Sequence, residues 1–348
     1  MENLRKDAEV YFNQGVSYAK SEEYEKALVA YSKAIELDPE YADAYYNRGF
    51  SYRVLGEDEK AIENYTKYIE LDPNDANAYN NRSLSYLDLG EYEKAIDDYT
   101  KYIELDPNDA IAYYNRGFSY RKLEEHEKAI EDNSKAIEID PKYANAYNNR
   151  SLSYVKLGEY EKAIDDCSKV IELDPNDATA YYNRGNCYRE LGEYDKAISD
   201  NSKSIELDPD DPDVYNNRGL SYYSLKEYEK SIADYDRSIE LESEAYWVYT
   251  NRGNSYDSLG ESQKALENYD KAIDLNPKDA WNYYHRGICY RNLGQHEKAI
   301  EDNSKAIELD PDNAYAYKNR GLSYEVLEEY EKAKADLAKA EELEKNEK

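Results

Sequence analysis

Residues that could carry out catalysis or bind a metal are few and scattered in this sequence. The histidines and cysteines number three each: His126, His285, His296, Cys167, Cys187 and Cys289. None stands at zinc-site spacing from another, and no CxxC pair is present. Carboxylates are abundant, but no two stand apart as a general acid and base. We therefore expect no catalytic site, no bound metal and no cofactor, and we expect the thiols to be buried and reduced.

A repeat of 34 residues dominates the chain. Counted from Ala8, ten repeats fit, starting at residues 8, 42, 76, 110, 144, 178, 212, 246, 280 and 314. Tyrosine occupies repeat positions 4 and 11 in all ten, and every glycine falls at position 8 or 15. No glycine is therefore left for a phosphate-binding loop. We expect one array over residues 8–347, preceded by a polar lead-in at residues 1–7.

Each repeat predicts two helices joined by a turn. In repeat 3, Asp75 can cap a first helix that runs to Leu89, and Gly90 can end it with left-handed backbone. Apolar residues at i, i+3, i+4 and i+7 predict a second helix, which ends before Pro107. Positions 4, 8, 11 and 14 of the first helix share one face, which we expect to be buried. One such pair cannot bury its apolar face alone, so neighbouring repeats must stack.

Two polar positions fall on or beside the predicted core. Position 7 is arginine in nine repeats and Gln14 in the first. We expect each guanidinium to meet a carboxylate of a neighbouring helix, which is a structural role. Asn133, Asn201 and Asn303 replace the usual aromatic residue of position 24. A buried amide must find a hydrogen bond, and we expect a local partner for each.

The repeat resembles the tetratricopeptide repeat (TPR) family. The shared features are an aromatic residue at position 4, a small one at 8, Tyr at 11, Leu-Gly at 14–15, Ala at 20 and 27, and Pro at 32. Arginine at position 7, where leucine is usual, is the constant departure. The resemblance implies an all-α, right-handed superhelical solenoid of ten helix-turn-helix repeats. Lys334 and Glu341 replace apolar residues in the last repeat, which we therefore expect to act as a C-terminal cap.

The resemblance also implies that the first helices line a concave groove, which holds a peptide or helix of another protein. Positions 2, 5, 6, 9, 12 and 13, here called the groove positions, lie away from the core face of that helix. They carry aromatic, apolar, amide and guanidinium side chains in rows, as binding surfaces do. The alternative is tighter packing between adjacent first helices. The predicted groove residues are Tyr46, Asn47, Phe50, Arg53, Asn81, Leu84, Tyr114, Asn115, Phe118, Arg121, Asn149, Leu152, Tyr182, Asn183, Arg189, Asn217, Leu220, Trp247, Asn251, Trp281, Tyr284, Ile288, Arg291, Tyr315, Lys318 and Leu322.

Position 2 changes character along the chain. It is mostly small or polar in the first seven repeats and becomes Trp247, Trp281 and Tyr315 in the last three. Tryptophan and tyrosine dominate binding hot spots, so we expect the tightest contacts in this C-terminal part. The alternative is that both indoles pack sideways against the preceding repeat, where Ser243 replaces the junction proline.

Charge limits the classes of partner. The chain has 45 basic and 76 acidic residues, a net charge of −31. Such a balance argues against nucleic acid and against anionic membranes, which attract basic surfaces. The first ten residues contain no apolar run typical of a signal peptide, so we expect a cytoplasmic protein.

These features together predict a non-enzymatic protein-binding scaffold with no cofactor. Its partner is expected to be a protein or peptide, and the chain is expected to be a monomer or to self-associate weakly. The alternative is a self-associating assembly protein, or an engineered repeat scaffold without a natural ligand. The near-identity of the repeats is compatible with either.

Overall fold

The computed structural model describes residues 2–346, and these form twenty α-helices without a strand. Contacts divide the chain into two compact units, residues 1–175 and 176–348. The helices of the N-terminal unit are α1 Glu2–Lys20, α2 Tyr24–Leu37, α3 Ala42–Val54, α4 Asp58–Leu71, α5 Ala76–Asp88, α6 Tyr92–Leu105, α7 Ala110–Lys122, α8 His126–Ile139, α9 Ala144–Lys156 and α10 Tyr160–Leu173. Those of the C-terminal unit are α11 Ala178–Glu190, α12 Tyr194–Leu207, α13 Pro212–Ser224, α14 Tyr228–Leu241, α15 Tyr246–Ser258, α16 Ser262–Leu275, α17 Ala280–Asn292, α18 His296–Leu309, α19 Ala314–Val326 and α20 Tyr330–Asn346.

The twenty helices form ten pairs, as the repeat predicts, with odd-numbered first helices and even-numbered second helices. Two details concern the ends and the division of the array. The described part of the lead-in, residues 2–7, is helical and forms the start of α1. The single array predicted for residues 8–347 divides by contacts into the two units given above, and residue 347 lies outside the described residues.

The ends of the helices follow from single side chains. The Asp75 carboxylate accepts a hydrogen bond from the Asn77 backbone N–H, 2.9 Å long, and so caps α5. Gly90 has a φ of +73°, and the following N–H of Glu91 donates to the carbonyl of Tyr86. This left-handed residue closes the helix and turns the chain toward α6. The tyrosine hydroxyl at position 4 then ties the repeat to the one before it, since Tyr79 donates to the Pro73 carbonyl.

The core lies between successive helices of each unit. Tyr99 of α6 is fully buried and packs with Tyr79 of α5 and Ala112 of α7. Ser83, at the small position 8, is also fully buried, which lets α5 and α6 approach closely. The expectation for position 14 was wrong. Leu89 is 37% exposed, because it is the C-cap of α5 and stands beyond the last full turn.

Candidate functional site

The arginines of position 7 link three helices. Arg82 on α5 donates from Nε and Nη2 to both oxygens of Asp98 on α6, at 2.7 and 2.6 Å. Its Nη1 donates to the Thr66 hydroxyl on α4, in the preceding repeat. Both partners of the ion pair are largely buried. Burial raises the pKa of Asp98, although Arg82 acts to lower it. The expectation of a structural role is confirmed, and these arginines are not available to a ligand.

The same carboxylate pairing recurs in both units. It joins Arg116 to Asp132, Arg150 to Asp166, Arg184 to Asp200, Arg218 to Asp234, Arg286 to Asp302, and Arg320 to Asp336. In repeats 2 and 8 an asparagine takes the place of the carboxylate, and Arg48 and Arg252 donate to Asn64 and Asn268.

The position-24 asparagines behave in the same structural way. Asn133 and Asn303 are fully buried, and each donates to a carbonyl of its own helix, of Ala129 and Ala299 respectively. Their expected local partners are therefore confirmed. Asn201 is equally buried, but neither of its amide atoms has a partner within the described part of the chain.

Two groove residues of the N-terminal unit, Tyr46 and Asn149, contact a neighbouring first helix, and Tyr46 also packs on α4 of its own repeat. The Tyr46 ring lies 5.8 and 5.2 Å from those of Tyr65 and Tyr68, centroid to centroid, and its hydroxyl accepts a hydrogen bond from Asn81. Asn149 is only 3% exposed, and its side-chain oxygen accepts a hydrogen bond from Arg121. At these residues the alternative of tighter packing describes the geometry better than an open groove.

Exposure sorts the predicted groove residues into three groups. Asn149 and Asn217 are buried and do not line an open surface. The exposed members are Phe50, Trp247, Trp281, Tyr315 and Lys318. The remaining members are half-buried: Tyr46, Asn47, Arg53, Asn81, Leu84, Tyr114, Asn115, Phe118, Arg121, Leu152, Tyr182, Asn183, Arg189, Leu220, Asn251, Tyr284, Ile288, Arg291 and Leu322. Four of the five exposed side chains belong to the C-terminal unit.

An aromatic cluster lies on α17 and α19 of that unit. The Trp281 ring is 5.5 Å from Tyr284 and 6.0 Å from Tyr315, and Tyr284 is 6.2 Å from Tyr315. Trp281 is nevertheless 45% exposed and Tyr315 is 52% exposed. Trp247, on α15, is 42% exposed and contacts the ring of Tyr246. The aromatic ring contacts of both indoles are with their own or the following repeat.

His285 lies beneath this cluster. Its ring stacks on Tyr269, with centroids 6.1 Å apart and planes 14° apart, and it also contacts Trp281 and Tyr284. Burial among these rings lowers the pKa of His285 to about 4. The histidine is therefore neutral at physiological pH. No cluster of three His, Cys, Asp or Glu side chains able to hold a metal occurs among residues 2–346.

Polar groups border the cluster. Lys318 is exposed and lies 3.6 Å from Glu344. Asn319 is 4% exposed, and neither its amide nitrogen nor its amide oxygen has a partner within residues 2–346. Asn319 is absent from the predicted groove residues, although it occupies the same position 6 as Asn251. Its place in the repeat was the signal that could have identified it. We call Trp281, Tyr284, Arg291, Tyr315 and Lys318 the Trp281 surface, and the buried Asn319 follows Lys318 on α19.

The sequence did not predict an open cleft in the first repeat. It has a volume of about 880 Å³ and includes Tyr11, Gln14, Val29 and Ala30 in its lining. Gln14 and Ala30 stand where other repeats place the arginine and its carboxylate or amide partner. The equivalent clefts beside Arg116 and Arg286, where the pair is present, are smaller, at about 400 and 390 Å³. The missing pair therefore enlarges this cleft, and Val29 on its wall is 72% exposed.

Two further observations concern burial and length. The three cysteines are buried, as predicted. None of the helices found within residues 2–346 combines the length and the apolar character needed to cross a membrane.

Comparison with known proteins places the chain in a family. The family pattern described as "Tetratricopeptide repeat" matches residues 42–75, 110–143, 178–211, 212–244, 246–279 and 280–313, which is more than half of the chain. A second pattern, "TPR repeat", matches residues 15–53, 84–123 and 152–188. A third, again described as "Tetratricopeptide repeat", matches residues 64–97, 134–165 and 304–335. No curated protein sequence matches the chain.

Several solved structures are similar to this one. The Cut9–Hcn1 hetero-tetramer of the APC/C is 16% identical, covering 91% of this chain and 76% of that one, with a TM-score of 0.57. A tetratricopeptide repeat protein from Parabacteroides merdae is 21% identical over 72% of this chain and 99% of its own, with a TM-score of 0.52. MamA is 31% identical over 48% of this chain and 92% of its own, with a TM-score of 0.47. The first two likenesses concern the fold alone. With ten helix pairs and matches in nearly every repeat, the chain belongs to the tetratricopeptide repeat family.

Proposed function

We propose that the chain is a non-enzymatic scaffold that binds a peptide or helix of a partner protein on its first helices, most tightly at the Trp281 surface. The observation that carries this proposal is the exposure of Trp281 and Tyr315, 45% and 52%, in a cluster of mutually contacting rings. Large exposed aromatic side chains are uncommon on soluble proteins unless they serve an interface. They bury much area on binding and lose little conformational freedom, so they make effective anchors.

The surroundings of the cluster support the same assignment. Ile288 and Leu322, at position 9 of repeats 9 and 10, are half-buried and extend the apolar area. The amide of Asn319 offers one donor and one acceptor that nothing in the described chain occupies. An apolar centre with polar groups at its border is the usual composition of a protein interface.

The test compares two aromatic substitutions of similar size. Trp281→Ala removes the centre of the proposed site, whereas Tyr330→Ala removes a ring that is 65% exposed at the start of α20 and lies outside the groove positions. Proteins captured from a lysate are compared for the two variants and the wild type. We expect Trp281→Ala to lose a partner that wild type and Tyr330→Ala retain. An identical set of captured proteins for all three would contradict the proposal.

Tryptophan fluorescence tests the site directly, since the chain has only two tryptophans and both are groove residues. Free protein is expected to emit at a wavelength typical of water-exposed indole, and the captured partner is expected to shift that emission to the blue. Emission that is already blue in the free protein, with Trp281→Ala lowering stability but not affinity, would instead indicate packing.

The proposal extends to the cellular location, the class of partner and the oligomeric state of the protein. Buried thiols suit a reducing compartment, which supports a cytoplasmic location. The net charge of −31 supports a protein partner rather than nucleic acid or an anionic membrane. We propose a monomer that self-associates weakly at most, which analytical ultracentrifugation tests.

A further inference from the structure

The two cations of the Trp281 surface, Arg291 and Lys318, lack a carboxylate partner at hydrogen-bond distance among the described residues. The other arginines of the C-terminal unit have one. Arg286 and Arg320, at position 7, pair with Asp302 and Asp336. Arg291, at position 12, makes no ion pair within residues 2–346. The Lys318 ammonium is 3.6 Å from the Glu344 carboxylate, and both side chains are about half exposed. An ion pair so open to water contributes little to stability, so Lys318 is nearly as available to a ligand as Arg291.

These two cations border the aromatic cluster. Arg291 lies two turns after Tyr284 on α17, and Lys318 lies one turn after Tyr315 on α19, so each shares a helix face with a ring of the cluster. Glu325 is the one acidic residue at the groove positions of repeats 9 and 10. With Glu344 beside Lys318, two basic and two acidic residues lie here, which is less acidic than a chain whose net charge is −31.

The amide of Asn319 adds a second observation. Two other position-6 asparagines donate to position 5 of the preceding repeat: Asn81 to Tyr46 and Asn251 to Asn216. Asn319 is 4% exposed and makes no such bond, so both of its amide atoms are buried without a partner in the described chain. Buried polar atoms without partners are costly and uncommon in native proteins. A ligand with a peptide group can supply an acceptor and a donor at once.

We propose that the ligand of the Trp281 surface is an acidic peptide segment. This inference rests on the proposed function above. An aromatic or aliphatic side chain of the segment packs on Trp281 and Tyr315, its carboxylates pair with Arg291 and Lys318, and a backbone amide meets Asn319. Charge-assisted bonds from a guanidinium to a carboxylate are about twice as strong as neutral ones.

Charge elsewhere on the molecule does not prevent this pairing. The Debye length is about 8 Å at physiological salt, so acidic residues on distant helices are largely screened at the site. A basic segment would place its cations against Arg291 and Lys318, which is unfavourable at contact distance.

The test uses three synthetic twelve-residue peptides with identical leucine and phenylalanine anchors and with glutamate, glutamine or lysine at every other position. Each is titrated into the full chain while tryptophan fluorescence is recorded. At about 0.15 M salt we expect the glutamate peptide to bind about tenfold more tightly than the glutamine peptide, and the lysine peptide to bind least. At about 1 M salt the glutamate and glutamine peptides should converge.

Charge-removing variants locate the effect. The double variant Arg291→Gln/Lys318→Gln should lose the preference for glutamate over glutamine while keeping affinity for the glutamine peptide. The matched control, Arg237→Gln/Lys305→Gln, removes the same charge from pairs on α14 and α18 and should keep the preference.

The possible failures are distinguishable. Equal affinity for the glutamate and glutamine peptides overturns the acidic preference but leaves peptide binding standing. Failure of all three peptides to change the fluorescence overturns the inference and contradicts the proposed function as well. Equal competition by a twelve-nucleotide oligothymidine would show that the surface selects polyanions, and this also overturns the assignment to a peptide.

Discussion

At the scale of single residues, the residue that accepts hydrogen bonds from the position-7 arginine differs between repeats, which provides an internal comparison. In most repeats a buried aspartate receives two hydrogen bonds from the position-7 guanidinium, as Asp98 does from Arg82. In repeat 2 an asparagine serves instead, with Arg48 donating to Asn64 at 2.7 Å and Asn64 donating to the Lys60 carbonyl. An oxygen at this place is therefore required, and a negative charge is not.

This comparison predicts different outcomes for two substitutions. Asp98→Asn should cost less than about 1 kcal/mol in the free energy of unfolding, since it reproduces the arrangement of repeat 2. Asp98→Ala should cost about 3 kcal/mol, because it leaves the largely buried Arg82 without its partner. Urea unfolding of both variants measures the difference. Equal costs would mean that the hydrogen-bonded oxygen at this position does not matter.

His285 predicts a pH dependence. Its folded pKa of about 4 lies below the ordinary value of 6.5 because the ring is buried. As pH falls from 6.5 to 4 the unfolded chain takes up a proton that the folded chain does not, so this histidine's contribution to stability is present above pH 6.5 and is lost toward pH 4. The loss reaches about 3 kcal/mol at pH 4.

The measurement is urea unfolding of wild type and His285→Asn between pH 7 and 4, followed by tryptophan fluorescence. Asparagine is the usual residue of position 6, so the variant should fold. As pH falls, the free energy of unfolding of wild type should decrease relative to that of the variant. Parallel pH profiles would place His285 in a more solvated environment than the structure gives it.

At the scale of the helix pair, the turn between helices departs from the repeat in four places. Position 15 is a left-handed glycine in six repeats, but Glu22, Glu124, Lys226 and Glu328 adopt φ near +60° there. A side chain in this conformation costs roughly 1 kcal/mol. Each of these four turns is therefore strained relative to that of Gly158, which has a φ of +73°.

We expect Glu124→Gly to stabilise the chain by about 0.5–1 kcal/mol, with the greater freedom of glycine in the unfolded chain offsetting part of the relief. Gly158→Glu should destabilise by a similar amount. Glu124→Gln, which removes the charge without adding a glycine, is the control and should be neutral. Thermal unfolding compares the three, and a stabilising Glu124→Gln would assign the effect to charge.

The helix pair was also the scale best predicted from sequence. The cap at Asp75, the turn at Gly90 and the buried ring of Tyr99 each follow from one residue type at one repeat position. The exposure of the groove residues could not be predicted from residue type and repeat position. Periodicity assigns Asn149 and Trp281 to a common side of their helices, but the former is buried and the latter is exposed. The difference depends on which side chains the next repeat places opposite, and no single-helix pattern contains that information.

At the scale of the whole molecule, the packing is local in sequence. Within each unit a helix contacts mainly the helices before and after it, and first helices contact the next first helix. The stability of such arrays is approximately the sum of the stabilities of single repeats and of the interfaces between adjacent repeats. Destabilising one repeat therefore need not unfold the rest of the chain. The ring of Tyr99 is a suitable place to test this, because it is fully buried and packs with α5 and α7.

We expect Tyr99→Ala to remove about 3–5 kcal/mol locally, as deletion of a large buried side chain does. Amide hydrogen exchange should accelerate in α5 to α7 and stay close to wild type in α13 to α17, because local opening requires only the neighbouring contacts to break. The two tryptophans lie in α15 and α17, so their fluorescence should report an unfolding midpoint close to that of wild type while circular dichroism shows earlier loss of helix. A similar increase in exchange rate in both regions would mean that the array unfolds as one cooperative body. The interaction free energy between adjacent repeats would then have to exceed the free energy lost when one repeat unfolds.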